Sequence, residues 1–222
     1  RDLVGDAPLS EVLETLSTLA DAAIEAALRC AHNELVDRFG QPIGENSGTS
    51  VQLTVLGLGK LGGRELNMSS DVDLVFAYRE SGSTNGARSI SNHEFFIKLG
   101  RALIDILQAP TAEGIVFRVD MRLRPNGDSG PLALSFDAID HYFLTHGREW
   151  ERYALIKARP VAGDIASGHE LLANLRPFVY RKYLDFGAFE SIRSMKTLID
   201  RELAKKSLAG NVKLGRGGIR EI

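Results

Sequence analysis

Cysteine is nearly absent: Cys30 is the only one in 222 residues. An intrachain disulfide framework is therefore excluded, which fits a reducing compartment. No apolar run is long enough to span a bilayer, and no secretory-signal pattern is present. The expected location is the cytoplasm, without a membrane. An excess of either charge is also missing, since 27 Lys and Arg face 29 Asp and Glu for a formal net charge of -2. That balance argues against a nucleic-acid binder while leaving room for a local basic site. With 44% apolar and 25% charged residues, the composition is that of an ordinary globular protein with a substantial core in one domain or two.

What is present centres on residues 51–78. The apolar run Val51 to Leu56 reads as a buried strand. Gly57, Gly59, Gly62 and Gly63 follow as a glycine-rich turn. Ser69-Ser70-Asp71-Val72-Asp73 then opens a second apolar run, Leu74 to Tyr78. Alternation along a strand puts Asp71 and Asp73 on one face and Val72, Leu74 and Phe76 on the other. Two carboxylates so spaced at a strand edge suit a hard divalent cation better than a core. Gly57-Leu58-Gly59-Lys60-Leu61-Gly62 also matches the dinucleotide fingerprint. That motif requires a full crossover helix before the next strand, and here there is space only for a short helix over 61–68. A Gly-Gly pair opening that helix could receive a phosphate on its backbone N–H groups.

The flanking segments are mainly helical. Periodic apolar residues predict a helix over 9–38, with Ser10 as N-cap and Gly40 and Pro42 at its end. Residues 80–89 read as a loop. A helix over 92–108 starts with the capping box Ser91 and Glu94, and its inward face includes Phe95, Phe96, Leu99, Leu103, Ile106 and Leu107. Strict alternation through 115–124, IVFRVDMRLR, predicts a strand with Arg118, Asp120, Arg122 and Arg124 on one face. Ser135 is expected to cap a helix over 136–145. Trp150 and Tyr153 read as core. Lys157 and Arg159 fall on one face of a short extended stretch, either as surface charge or as phosphate contacts. Helical patterns follow from Ser167, broken at Pro177, and again over 187–209. His32, His141 and His146 have no metal-ligand partners at suitable spacing, and His93 and His169 read as surface residues.

GKLGGRELNMSSDVDLVFAY resembles the signature of the DNA-polymerase-β-type nucleotidyltransferases. More narrowly, the chain resembles the family of bifunctional glutamine synthetase adenylyltransferase/adenylyl-removing enzymes. Four blocks carry the likeness in order: GLGKLGGRELNMSSDVDL, VDMRLRPNGDSGPL, GREWERYALIKARPVAGD and KLGRGGIREI. The resemblance implies an α+β fold, a polymerase-β-like nucleotidyltransferase core with a mixed sheet and covering helices, flanked by N- and C-terminal helices. The expected division is an N-terminal helical segment over 1–45, the catalytic core over 46–165 and an incomplete C-terminal helical segment over 166–222.

In that family a third carboxylate joins the pair from a neighbouring strand, and Asp120 is the available candidate. The resemblance thus implies Asp71, Asp73 and Asp120 as catalytic magnesium ligands. Gly62, Gly63, Ser70, Lys60, Arg122 and Arg124 are the expected nucleotide and phosphate contacts. NMSS, DSGP and IKARP are closer to the adenylyl-removing half, as is the glycine-rich tail. The implied reaction is phosphorolysis of the AMP–tyrosine phosphodiester on adenylylated glutamine synthetase, releasing ADP. The implied partners are that enzyme, ADP or ATP, phosphate and a nitrogen-signalling PII protein. Adenylylation from ATP on the same fold, or a non-catalytic nucleotide-sensing module, are the alternatives.

Overall fold

The computed structural model describes residues 5–180 and, beyond them, residues 190, 193–194, 196–198 and 201. The chain divides into two units, Arg1–Tyr180 and Arg181–Ile222, and the first holds the sheet and its covering helices. Of the helix expected over 187–209, the described residues are helical; the others, and the glycine-rich tail, lie outside the described residues.

Fully buried alternating segments make the centre of a mixed α+β fold. β2 (Leu53–Gly57) pairs antiparallel with β3 (Val72–Tyr78) on one side and with β7 (Arg159–Gly163) on the other. The far side of β3 is shared by two short parallel partners. β5 (Val119–Asp120) pairs at its start, and β6 (Ala133–Ser135) pairs near its end. This sharing explains why the strand expected over 115–124 shrinks to two residues. β6 takes over as partner from Phe76, so beyond Asp120 the chain turns away and drops Met121 into the core. Ile115 is then exposed, not buried with Met121.

Two helical layers cover the sheet. α1 (Leu9–Phe39) and α3 (Asn92–Gln108) bury Ile24, Leu28, Phe95, Phe96 and Leu99 against Val72, Leu74 and Phe76. α4 (Phe136–Thr145), α5 (Glu149–Ile156) and α6 (Ile165–Val179) bury Ile139, Leu155 and Leu171 against the opposite face, at Val75 and Ala77. The expected alternation of β3 is therefore realised, and Asp73 lies on the α4–α6 side. Ser91 caps α3 by accepting from Glu94 N, and Ser135 caps α4 by accepting from Ala138 N.

Several local expectations are corrected. α1 begins after Pro8, whose carbonyl accepts from Glu11 and Val12, so Ser10 is inside the helix. Ile106 is 39% exposed on α3. The segment 80–89 contains β4 (Gly82–Thr84), paired with β1 (Pro42–Gly44) in a separate two-stranded sheet. Such short polar strands carry no apolar alternation to read. Trp150 and Tyr153 are only half-buried, whereas Glu151 and Arg152 are buried. Pro177 lies within α6 and does not break it. A proline in the last turn removes one helical hydrogen bond, and packing of Phe178 on Phe143, ring centroids 4.9 Å apart, holds that turn.

Candidate functional site

The site is built where β2 ends and β3 and β5 begin. α2 (Gly59–Gly62) is a single turn of helix, and Gly63 is its C-cap. The Gly-Gly pair therefore closes this helix instead of opening it, and the expected 61–68 helix is confined to one turn. Gly62 is there for packing: a Cβ would lie 2.1 Å from the Lys157 carbonyl oxygen and 2.6 Å from that of Gly57. At Gly63 a Cβ would meet only the Lys157 side chain at 2.9 Å and that of Glu65 beyond it.

Gly59 is the glycine that shapes the carboxylates. Its φ of +55° is strained for any residue with a Cβ. A Cβ there would sit 2.5 Å from Asp73 Oδ2. The Leu58 N–H also donates to the Asp73 carbonyl at 2.9 Å. The turn thus folds directly onto Asp73. From the other side, parallel pairing sets Val72 beside Val119 and Asp73 beside Asp120. Paired residues of adjacent strands share a face, so the two aspartates project together.

Arginines hold the other carboxylates. Arg118 Nε donates to Asp71 Oδ1 at 2.5 Å, and its Nη2 donates to the Ser69 carbonyl at 2.9 Å. Arg122 grips Asp120 with its backbone N–H at 2.8 Å and with its guanidinium. These Arg122 hydrogen bonds hold the Asp120 carboxyl below the ordinary carboxylate range, against the upward push of partial burial. Arg122 is in turn raised by Asp120, with smaller contributions from Asp128 and Asp73.

The remaining expected contacts are distributed unevenly. Lys60 Nζ donates to Ser70 Oγ at 3.0 Å, and the Ser70 hydroxyl donates to Asn67 Oδ1. Arg122 is exposed on a groove of about 610 Å³, with Asp71, Arg118, Asp120, Asp128 and apolar Ile104 and Ile115 in its wall. Asp73, half-buried, packs on Gly59 instead of lining that wall. Arg124 does not share the exposed face of Arg122. It is buried, donating to the carbonyls of Met121 and Gly130 and facing Asp128 at 3.6 Å. Because the strand stops at Asp120, alternation no longer governs its direction. Lys157 pairs with Glu65 at 2.6 Å, and Arg159 grips Asp21 of α1 and the Leu61 carbonyl. A second cavity, of about 230 Å³ and containing His32, includes none of the three aspartates.

Gly59 and Arg118 were both noted in the sequence, in the glycine turn and on the charged face, but neither was given a role in the site. For Arg118 a signal was readable. Aligning Asp71-Val72-Asp73 on Arg118-Val119-Asp120 would have paired Asp71 with Arg118 and Asp73 with Asp120.

The donor chemistry is that of a hard-cation site: Asp73 and Asp120 stand side by side on β3 and β5, and Asp71 immediately precedes β3. Among the described residues, however, no three acidic, histidine or cysteine groups converge as metal ligands. Arg118 and Arg122 draw Asp71 and Asp120 to themselves.

A model of the glutamate-ammonia ligase adenylyltransferase family matches residues 1–174. The whole chain is 57% identical over 223 residues to the bifunctional glutamine synthetase adenylyltransferase/adenylyl-removing enzyme of Nitrosococcus oceani, and 55% identical to that of Pseudomonas aeruginosa. It is 57% identical over 221 residues to that of Chromobacterium violaceum. The chain spans 23–24% of the length of these curated relatives.

Proposed function

Since the chain belongs to the glutamate-ammonia ligase adenylyltransferase family, we propose that its Asp71, Asp73 and Asp120 form a magnesium-dependent nucleotidyl-transfer site. The observation that carries this reading is the register of β3 and β5, which sets Asp73 beside Asp120. Bound magnesium would neutralise and polarise the nucleotide phosphate. The protein's own contribution is placement. In-line displacement at phosphorus depends on positioning and charge stabilisation more than on a strong base. Gly59 fixes Asp73 and β5 fixes Asp120. Arg122, exposed in the groove, supplies a planar fork for phosphate oxygens. The Lys60–Ser70 pair offers a second cationic contact beside the turn, whereas the Gly62 and Gly63 N–H groups expected to receive a phosphate are bonded to the Leu58 and Gly59 carbonyls. Arg124 braces the loop that follows Asp120.

The proposed reaction is phosphorolytic deadenylylation of glutamine synthetase. Inorganic phosphate attacks the phosphorus of the AMP–tyrosine phosphodiester, the tyrosine oxygen leaves, and ADP is released. The removing direction rests on NMSS (Asn67–Ser70), DSGP (Asp128–Pro131) and IKARP (Ile156–Pro160), which resemble the removing half of the family. Within this reading residues 46–165 are the catalytic core, with 1–45 and 166–222 as the flanking segments. Adenylylated glutamine synthetase, ADP or ATP and a PII protein are its proposed partners, in the cytoplasm.

The test is incubation of adenylylated glutamine synthetase with the chain, magnesium and phosphate. ADP should appear, and only with phosphate. AMP incorporation from ATP into unmodified glutamine synthetase would favour the adding activity that the relatives' name also carries. Free AMP without phosphate would indicate hydrolysis.

A further inference from the structure

Asp71 and Asp120, the two carboxylates in the groove wall that the reading above gives to magnesium, each already hold a guanidinium. We propose that Arg118 is a phosphate-binding residue that neutralises Asp71 until a divalent cation displaces it. The proposal rests on the magnesium reading and extends it to a residue outside the expected site.

Three observations support it. First, the contacts of Arg118 with Asp71 and with the Ser69 carbonyl engage two N–H donors of a guanidinium that has five. Second, the pair is open to solvent, with Arg118 61% and Asp71 46% exposed. Exposed ion pairs are weak, and a small divalent ion attracts carboxylate oxygen more strongly than a diffuse monovalent guanidinium does. Third, Arg118 and Arg122 line the same groove, on either side of Asp120 in sequence. A cation taking Asp71 would therefore release Arg118 into the space where a phosphate would be held. Its planar fork matches two phosphate oxygens. Arg122 differs in one respect. Its backbone N–H also bonds Asp120, so Asp120 keeps a partner when that side chain leaves.

The exchange couples two ligands. Magnesium frees a phosphate-binding cation, so phosphate should tighten magnesium binding, and magnesium should tighten phosphate binding by the same factor. A plain bracing role for Arg118 predicts the opposite sign for its removal. If Arg118 only orients Asp71 for the metal, deleting it weakens metal binding. If it competes with the metal, deleting it strengthens metal binding.

The experiment is calorimetric titration of the full chain with magnesium, with and without inorganic phosphate, for wild type, Arg118→Ala and Arg118→Lys. Melting temperatures are measured on the same samples. Arg118→Ala should bind magnesium alone roughly two- to fivefold more tightly, the factor by which an exposed ion pair could have competed. Its phosphate-induced gain in magnesium affinity should be smaller than that of wild type. Arg118→Lys should fall between the two, keeping charge without the fork. Weaker or unchanged magnesium binding in Arg118→Ala, or an undiminished gain from phosphate, would overturn the proposal. No magnesium binding by the wild-type chain would overturn the metal reading itself, and this inference with it.

Discussion

A methyl group at Gly59 would fall 2.5 Å from Asp73 Oδ2, at a backbone φ of +55°. Gly59→Ala should therefore displace the carboxylate and strain the turn together. We expect at least about a hundredfold loss of turnover, the scale of a misplaced catalytic group. The left-handed backbone should add about 1–2 kcal/mol of destabilisation, read from chemical denaturation. Gly63→Ala is the control. Its Cβ meets the flexible Lys157 side chain, so it should retain most of its activity. Asp120 gives a second residue-scale prediction. Arg122 hydrogen bonds hold its carboxyl below the ordinary range. Such a depressed carboxylate stabilises the fold fully above its unfolded value, and the benefit is lost as pH falls through the lower folded value. Carbon-detected NMR titration should place the Asp120 midpoint below that of an ordinary aspartate. In Arg122→Ala the midpoint should move up, and the acid edge of stability with it. An unmoved midpoint would remove Arg122 as the cause.

Between elements, Arg159 ties β7 to the turn and to α1. Its guanidinium bonds both Asp21 oxygens at 2.8 and 2.9 Å and also the Leu61 carbonyl. The Arg159 and Asp21 side chains are 20% and 21% exposed, so solvent screens the pair only in part. Arg159→Ala should cost about 2 kcal/mol, the scale of charged hydrogen bonds, in a urea titration. An unchanged midpoint would reduce Arg159 to surface charge. Sequence period reveals neither this contact nor its partner, because Arg159 and Asp21 are 138 residues apart. The same limit separates what could be read from what could not. β2, β3, α1 and the caps of α3 and α4 were legible because local apolar period and local side-chain acceptors define them. β5 was over-read because alternation continues past Asp120, while its length depends on where β6 docks on β3. β1 and β4 were invisible because their pairing is tertiary. Asp71 and Asp73 were singled out from spacing alone, but spacing does not reveal that one lines the groove while the other packs on Gly59. The turn of Arg124 into its own loop was not legible, because it follows from the end of β5.

At the scale of the whole described unit, fold and proposed chemistry meet where β3 changes partners. β3 begins against the turn, with Asp73 on Gly59, gains β5 beside Asp73 and then exchanges β5 for β6. Carboxylates at that opening can project without sacrificing the apolar layers, which begin at Val72 on one face and Val75 on the other. Removing one carboxylate should therefore spare the fold and abolish the chemistry. The most direct test is phosphate-dependent ADP release from adenylylated glutamine synthetase by Asp73→Asn, with the melting temperature measured in parallel. A magnesium-ligand role for Asp73 predicts a loss of at least about a thousandfold, corresponding to several kcal/mol of transition-state stabilisation, at an unchanged melting temperature. Near wild-type release by a folded Asp73→Asn chain, with magnesium as the only divalent ion, would contradict it.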